Sequence, residues 1–126
     1  MTRINCIPVE ELRPKHLVAE YRELPRVFGL AKKYYDRHGA AIPKGAPDKY
    51  TLGAGHVKFF YTRLGWCLER QRQLIIEMVR RGYVPKFDTT TLETVPEWSN
   101  TWDPTPEAME LNRARIAERL QKNSNL

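Results

Sequence analysis

The chain has 126 residues, with 21 lysines and arginines against 15 aspartates and glutamates and a formal net charge of +6. That length fits one domain, residues 1–126, with a single core. The basic balance favours a polyanionic partner, nucleic acid first; no run approaches the roughly 20 apolar residues of a membrane span.

No apolar segment at the N-terminus reads as a signal peptide. Cys6 and Cys67 stand far apart with no CxxC spacing, so both read as free thiols in a reducing, cytoplasmic interior. Residues 1–13 read as an extended or irregular lead, because Pro8 and Pro14 limit helix before position 14. Helix one is predicted from Pro14, a residue suited to the first helical position. Its apolar residues Leu17, Val18, Tyr21, Leu24, Phe28, Ala31 and Tyr35 recur at the helical period. Pro25 predicts a kink and Gly39 a stop. Residues 39–55, rich in glycine, proline and alanine, read as a loop between helices.

Helix two is predicted from His56 to Arg81. Its buried stripe is Val57, Phe60, Tyr61, Leu64, Cys67, Leu68, Leu74, Ile75 and Met78. Gly65 weakens its middle, and Gly82 ends it. Residues 83–105 form a long connection in which Trp98 and Trp102 anchor onto the core. Thr105-Pro106-Glu107 opens helix three, with Thr as N-cap and Pro at the first position. Met109, Leu111, Ile116 and Leu120 supply its partial apolar stripe. No strand signal and no repeat appears, so the fold class is all-α, with three main helices and long irregular connections.

His16, His38 and His56 have no ligand-like spacing with each other or with the cysteines, so no metal site is expected. No Walker loop, GxGxxG or GxSxG is present. LGAGH at 52–56 reads first as an ordinary loop end, and second as a phosphate cradle. Helix one is more informative. Arg22 and Arg26 lie one turn apart on one face, with Glu23 beside both. The arrangement fits a solvated face with a Glu23–Arg26 pair worth ~0.3–0.5 kcal/mol. That bland reading comes first on spacing alone; second to it stand two arginines gripping phosphates around a carboxylate.

MTRIN at 1–5, HLVAEYRELPRVFG at 16–29, LGAGHVKFFY at 52–61, the RQRQLIIE run at 70–77 and the Arg81-Gly82 pair together resemble the pyrimidine-dimer DNA glycosylases of the phage endonuclease V type. The matching runs cover most of residues 1–82, and NRARIAERL at 112–120 matches more loosely. The resemblance implies a DNA repair enzyme that excises ultraviolet-induced pyrimidine dimers from double-stranded DNA and then cleaves the strand at the abasic site. It implies the α-amine of Thr2 as nucleophile and Glu23 as the essential carboxylate. Arg22 and Arg26 would hold phosphates, Arg3 and His16 would border the site, and Arg115 would join the basic cluster. Arg119 stands where another basic DNA contact is expected. The family works as a monomer without metal or cofactor, on DNA that is sharply kinked with an adenine extruded opposite the lesion.

The chemistry fits these residue types. An α-amino group has a pKa near about 7.7–8.0, so roughly a tenth is free base at pH 7, and neighbouring arginines lower it further. The scheme requires removal of Met1, which the small side chain of Thr2 favours. Two departures bear on lesion preference. Phage members continue past helix three into a segment rich in Trp, Tyr and Lys, and the loop at 39–50 differs. Trp98 and Trp102 are expected to anchor the core rather than replace that segment. Two rival readings stand beside this one: a related glycosylase or lyase acting on other damaged bases or abasic sites, and a non-catalytic basic helical DNA-binding module.

Overall fold

Proline and glycine set most of the helix boundaries. The computed structural model describes residues 3–124. Among them are five α-helices and no strand: α1 (Pro14–Glu23), α2 (Pro25–His38), α3 (His56–Tyr61), α4 (Leu64–Arg80) and α5 (Pro106–Ser124). Short 3-10 turns lie at Val9–Glu11 and Pro96–Trp98. The architecture is all-α. Pro14, Pro25 and Pro106 open their helices, and α2 stops at Gly39, whose φ of +80° suits glycine. Thr105 caps α5 as predicted, its Oγ1 accepting the Ala108 N–H at 3.0 Å.

Two predicted helices are each divided in two. Pro25 has no N–H to give the Tyr21 carbonyl, and Gln71 Nε2 of α4 donates to that oxygen instead at 3.0 Å. The kink at Pro25 therefore separates α1 from α2. Helix two breaks at Thr62–Arg63, where side chains of Arg63 itself and of the distant Asn100 take its carbonyls. Arg63 Nη1 donates to Phe59 O at 2.6 Å, and Asn100 Nδ2 donates to Thr62 O at 2.8 Å. Gly65, just beyond, is a point of close approach. A Cβ there would lie 2.8 Å from Ser99 O and 3.0 Å from Asn100 O.

α1 packs along α4, and α2 packs against α3. Leu17, Leu24, Val27, Phe59, Phe60, Leu64 and Leu74 fill the space between them. Trp98 is buried and donates its Nε1–H to Ala40 O at 3.1 Å. Trp102 stacks on Tyr50 with centroids 5.9 Å apart and meets Phe59 edge-on at 5.0 Å. Both tryptophans anchor the long connection, as predicted.

The N-terminal lead is part of the core rather than a flank to it. Ile4, Cys6, Ile7, Val9 and Leu12 are all buried. Of the stripe predicted for α5, Met109 and Ile116 pack against the core and Leu111 does not. Leu111 is 40% exposed, while Ala108 and Asn112 are buried. Cys6 and Cys67 are free and buried, and burial pushes the Cys6 thiol up to about 12. Among the described residues no helix is long and apolar enough to cross a membrane.

Candidate active site

The lead is extended but pairs with no strand, so its backbone groups must find side-chain partners. They find them on four parts of the molecule. Arg3 N–H donates to Glu23 Oε2 at 3.1 Å, and Ile4 N–H donates to His56 Nε2 at 2.8 Å. Asn112 Oδ1 on α5 accepts from both Cys6 N–H, at 2.8 Å, and Ile7 N–H, at 3.2 Å. Tyr50 Oη donates to Ile4 O at 2.9 Å, and Arg70 Nη1 donates to Ile7 O at 2.6 Å.

A buried polar network supports these contacts. Arg70 of α4 grips Glu20 of α1 with two bonds, Nε to Oε2 at 2.7 Å and Nη2 to Oε1 at 3.0 Å. Asn5 Nδ2 donates to Glu20 Oε1 at 2.9 Å, and Asn112 Nδ2 donates to Asn5 Oδ1 at 2.7 Å. The lead is thus fixed to α1, α4 and α5 at once.

Beside the lead lies an open cavity of about 170 Å³. Its walls are Arg3, Asn5, Lys15, His16, Ala19, Glu20, Glu23, Ile116 and Arg119. Positions 16, 19, 20 and 23 are spaced by three and four, so α1 turns one face into it. The charge is mainly positive. Arg3 is held below its usual range by burial first, then by Arg119 and Arg115. His16 is lowered by burial first, then by Lys15, Arg119, Arg3 and Arg13. His16 Nδ1 is buried without a hydrogen-bond partner among the described residues.

Two carboxylates face this cavity, and they are not equivalent. Glu20 is committed to Arg70 and Asn5. Glu23, among the described residues, has only the Arg3 backbone N–H for a partner. No Glu23–Arg26 ion pair forms. A carboxylate with unused oxygens in a cationic pocket is suited to accept a proton or to face a developing positive charge.

Of the residues singled out from sequence, Arg3, His16, Glu23 and Arg119 come together in this cavity. Arg115 joins electrostatically through Arg3 and lies 3.9 Å from Glu118. Arg22 and Arg26 do not line the cavity and are exposed. Thr2 lies outside the described residues. Sequence reasoning missed Glu20, Arg70, Asn112, Tyr50 and the role of His56. Glu20 carried a signal, since it is three residues from Glu23 and shares its helix face. Asn112 carried none, being one polar residue among several in α5. The LGAGH loop is an ordinary loop end in which Gly55, at φ +87°, precedes His56.

The sequence profile of a family described as pyrimidine dimer DNA glycosylase matches residues 1–91. That span holds the lead, all of α1 to α4 and every cavity residue except Ile116 and Arg119. A basic cavity with one uncommitted carboxylate fits such an enzyme, and the match covers most of the chain. The chain belongs to the pyrimidine dimer DNA glycosylase family, enzymes of DNA repair whose substrate is damaged DNA.

Proposed function

We propose that this chain removes pyrimidine dimers by amine catalysis and then cleaves the abasic strand, with the Thr2 α-amine as nucleophile and Glu23 as its acid–base partner. One observation carries the reading. The residue after Thr2 donates its backbone N–H to Glu23 Oε2 at 3.1 Å. One residue of backbone, about 3.8 Å at most, separates the Thr2 amine from that N–H, so the carboxylate is within the amine's covalent reach.

In this scheme the neutral amine attacks C1′ of a sugar in the dimer. The C1′–N bond breaks, and its electron pair leaves with the base. Glu23, ionised, faces the positive charge that grows on the sugar. One amine proton passes to the ring oxygen as the C1′–O4′ bond breaks, which leaves a C4′ hydroxyl and a protonated imine. The imine acidifies the C2′–H, and Glu23 takes that proton. The electrons form the C2′–C3′ double bond and expel the 3′ phosphate. Water then hydrolyses the imine and frees the amine.

Arg3, Arg115, Arg119 and His16 surround the reacting sugar with donors for the flanking phosphates. Arg22 and Arg26, exposed beside Glu23, grip the duplex farther out. Crowded cations also keep the amine in its free-base form.

Borohydride reduction of a reaction on a duplex with one cyclobutane dimer tests this reading. A covalent protein–DNA adduct is expected, and peptide mass mapping should place it on Thr2. A preparation retaining Met1 should give little adduct. Efficient cleavage with no adduct, or an adduct on a lysine, would remove the amine of Thr2 from the mechanism.

A further inference from the structure

His56 opens α3 and is buried, yet the scheme above gives it no task. Its two ring nitrogens have different partners. Nδ1 lies 2.7 Å from Thr51 O, and Nε2 accepts the Ile4 N–H at 2.8 Å. A carbonyl oxygen only accepts, so Nδ1 must carry the proton and Nε2 must keep its lone pair. This pair of bonds exists only for the neutral ring. Tyr50 meets the ring edge-on at 5.5 Å, and Phe60 does so at 5.7 Å. Tyr50 also holds the other side of Ile4 through its carbonyl. Ile4 is therefore clamped on both backbone groups, two residues from Thr2.

Protonating Nε2 would set one N–H against another and bury a cation. The charged groups facing the ring are Arg3 from the lead, which opposes protonation, and Glu20 from α1, which favours it. Tyr50 and Thr51 offer a hydroxyl and a carbonyl. Burial outweighs the rest and holds His56 below its ordinary value.

We infer that His56 is a positioning residue for the reaction. Its neutral ring holds the lead at the register that sets the Thr2 amine against Glu23, and acid releases that hold. The inference rests on the amine reading above. The Thr51 carbonyl and the rings of Tyr50 and Phe60 fix one imidazole, and that imidazole holds the lead.

The test is the pH profile of single-turnover trapping on dimer duplex with cyanoborohydride, a reductant that survives mild acid, from about pH 5 to about pH 8. It compares the wild type with His56→Gln and His56→Ala. Gln supplies an acceptor that does not titrate, whereas Ala supplies none. His56→Ala should trap roughly tenfold to a hundredfold more slowly near neutrality, with DNA affinity unchanged. In the wild type the amine's own protonation gives log rate a slope of one. Below the titration of His56 the slope should steepen by one more. His56→Gln should lack that extra limb, so its rate relative to wild type rises about tenfold per pH unit there. Circular dichroism at each pH confirms that the chains are folded.

Superimposable profiles for wild type and His56→Gln, or full trapping by His56→Ala, would overturn the inference. If the Gln variant does not fold, the wild type decides alone. Imidazole nitrogen shifts give the tautomer and midpoint of His56, and the extra limb must fall at that midpoint. A protonated Nε2 at neutral pH, or no limb at the midpoint, overturns it. No adduct from the wild type at any pH would instead overturn the amine reading, and this inference with it.

Discussion

The backbone N–H of Arg3 donates to Oε2 of Glu23 over 3.1 Å, joining positions twenty residues apart. This hydrogen bond connects the lead to the last turn of α1, where Glu23 has no side-chain partner among the described residues. Gln at position 23 can still accept this bond through its amide oxygen but cannot take a proton. Glu23→Gln should therefore bind dimer DNA as tightly as wild type. Its strand cleavage should fall by roughly a hundredfold or more, the usual contribution of a positioned base. Single-turnover gels with a parallel binding titration check both halves, and unchanged cleavage would remove Glu23 from the scheme.

Arg26 is exposed and has no ion-pair partner among the described residues, whereas Arg119 lines the cavity. The two should behave differently on DNA. Arg26→Ala should weaken dimer and undamaged duplex alike and lower the slope of log affinity against log salt by about one. Arg119→Ala should also slow cleavage of bound substrate. Affinity measured across a salt series, alongside single-turnover rates, separates the two effects. Equal losses of rate from both variants would contradict the placement of Arg119 in the reaction chamber.

Glu20 and Arg70 form a doubly bonded ion pair with side chains 0% and 3% exposed. Removing one partner leaves the other charged and buried. Arg70→Met should cost about 3–5 kcal/mol, and Glu20→Gln should cost less because an amide still accepts from Arg70 and Asn5. Replacing both with apolar residues should be better tolerated than Arg70→Met alone. Urea unfolding of the three variants orders them.

Acid should loosen the fold well before the carboxylates titrate. His56 and His16 are both held below the ordinary histidine value of 6.5, chiefly by burial. The unfolded chain therefore binds more protons than the folded chain once pH drops under about 6.5. Stability is full above that value and declines as pH falls toward the folded-state values, by at most about 1.4 kcal/mol per pH unit for each proton. Glu77 adds nothing in this window. Arg80 and Arg81 hold it down at about 2, so its contribution is present above 4.5 and is lost only in stronger acid. Urea midpoints between about pH 5 and 7 should fall with pH, and His56→Gln should flatten part of that slope.

Gly65→Ala puts a methyl group 2.8 Å from Ser99 O. The obstacle is backbone, held by the Trp66 N–H to Asn100 O bond at 3.1 Å. Helix propensity alone would make this substitution stabilising. Overpacking should win instead, with a loss of about 1–3 kcal/mol. A rise in Tm would show that the 96–100 segment yields freely.

Sequence periodicity located the helical regions well, because Pro14, Gly39, Thr105 and Pro106 act through local backbone chemistry. It joined α3 to α4, because the break there comes from Asn100, 38 residues away from Thr62. It read Gly65 as a weak point when a neighbouring backbone requires glycine. For the site, the YRELPR run pointed to Glu23 through its resemblance, and the cavity gathers Arg3, His16 and Arg119 around it. The holding residues were illegible for a physical reason. His56, Asn112 and Arg70 act on the lead from 52, 105 or 106, and 63 residues away, and no local pattern marks a side chain that replaces a missing strand partner.

The lead's clasps arise from α1, the 50–56 turn, α4 and α5, and they do not repeat along the segment. Such a segment cannot slip by one residue, because Asn5 would then meet the imidazole meant for Ile4. An extra amino acid in front of Thr2 therefore cannot be absorbed by sliding of the lead. Under the proposed chemistry the polypeptide leaves the ribosome inert, and trimming of the initiator residue arms it. A producing host whose aminopeptidase is outpaced would then yield a mixture, and the catalytically competent share should equal the trimmed share weighed by intact-mass spectrometry.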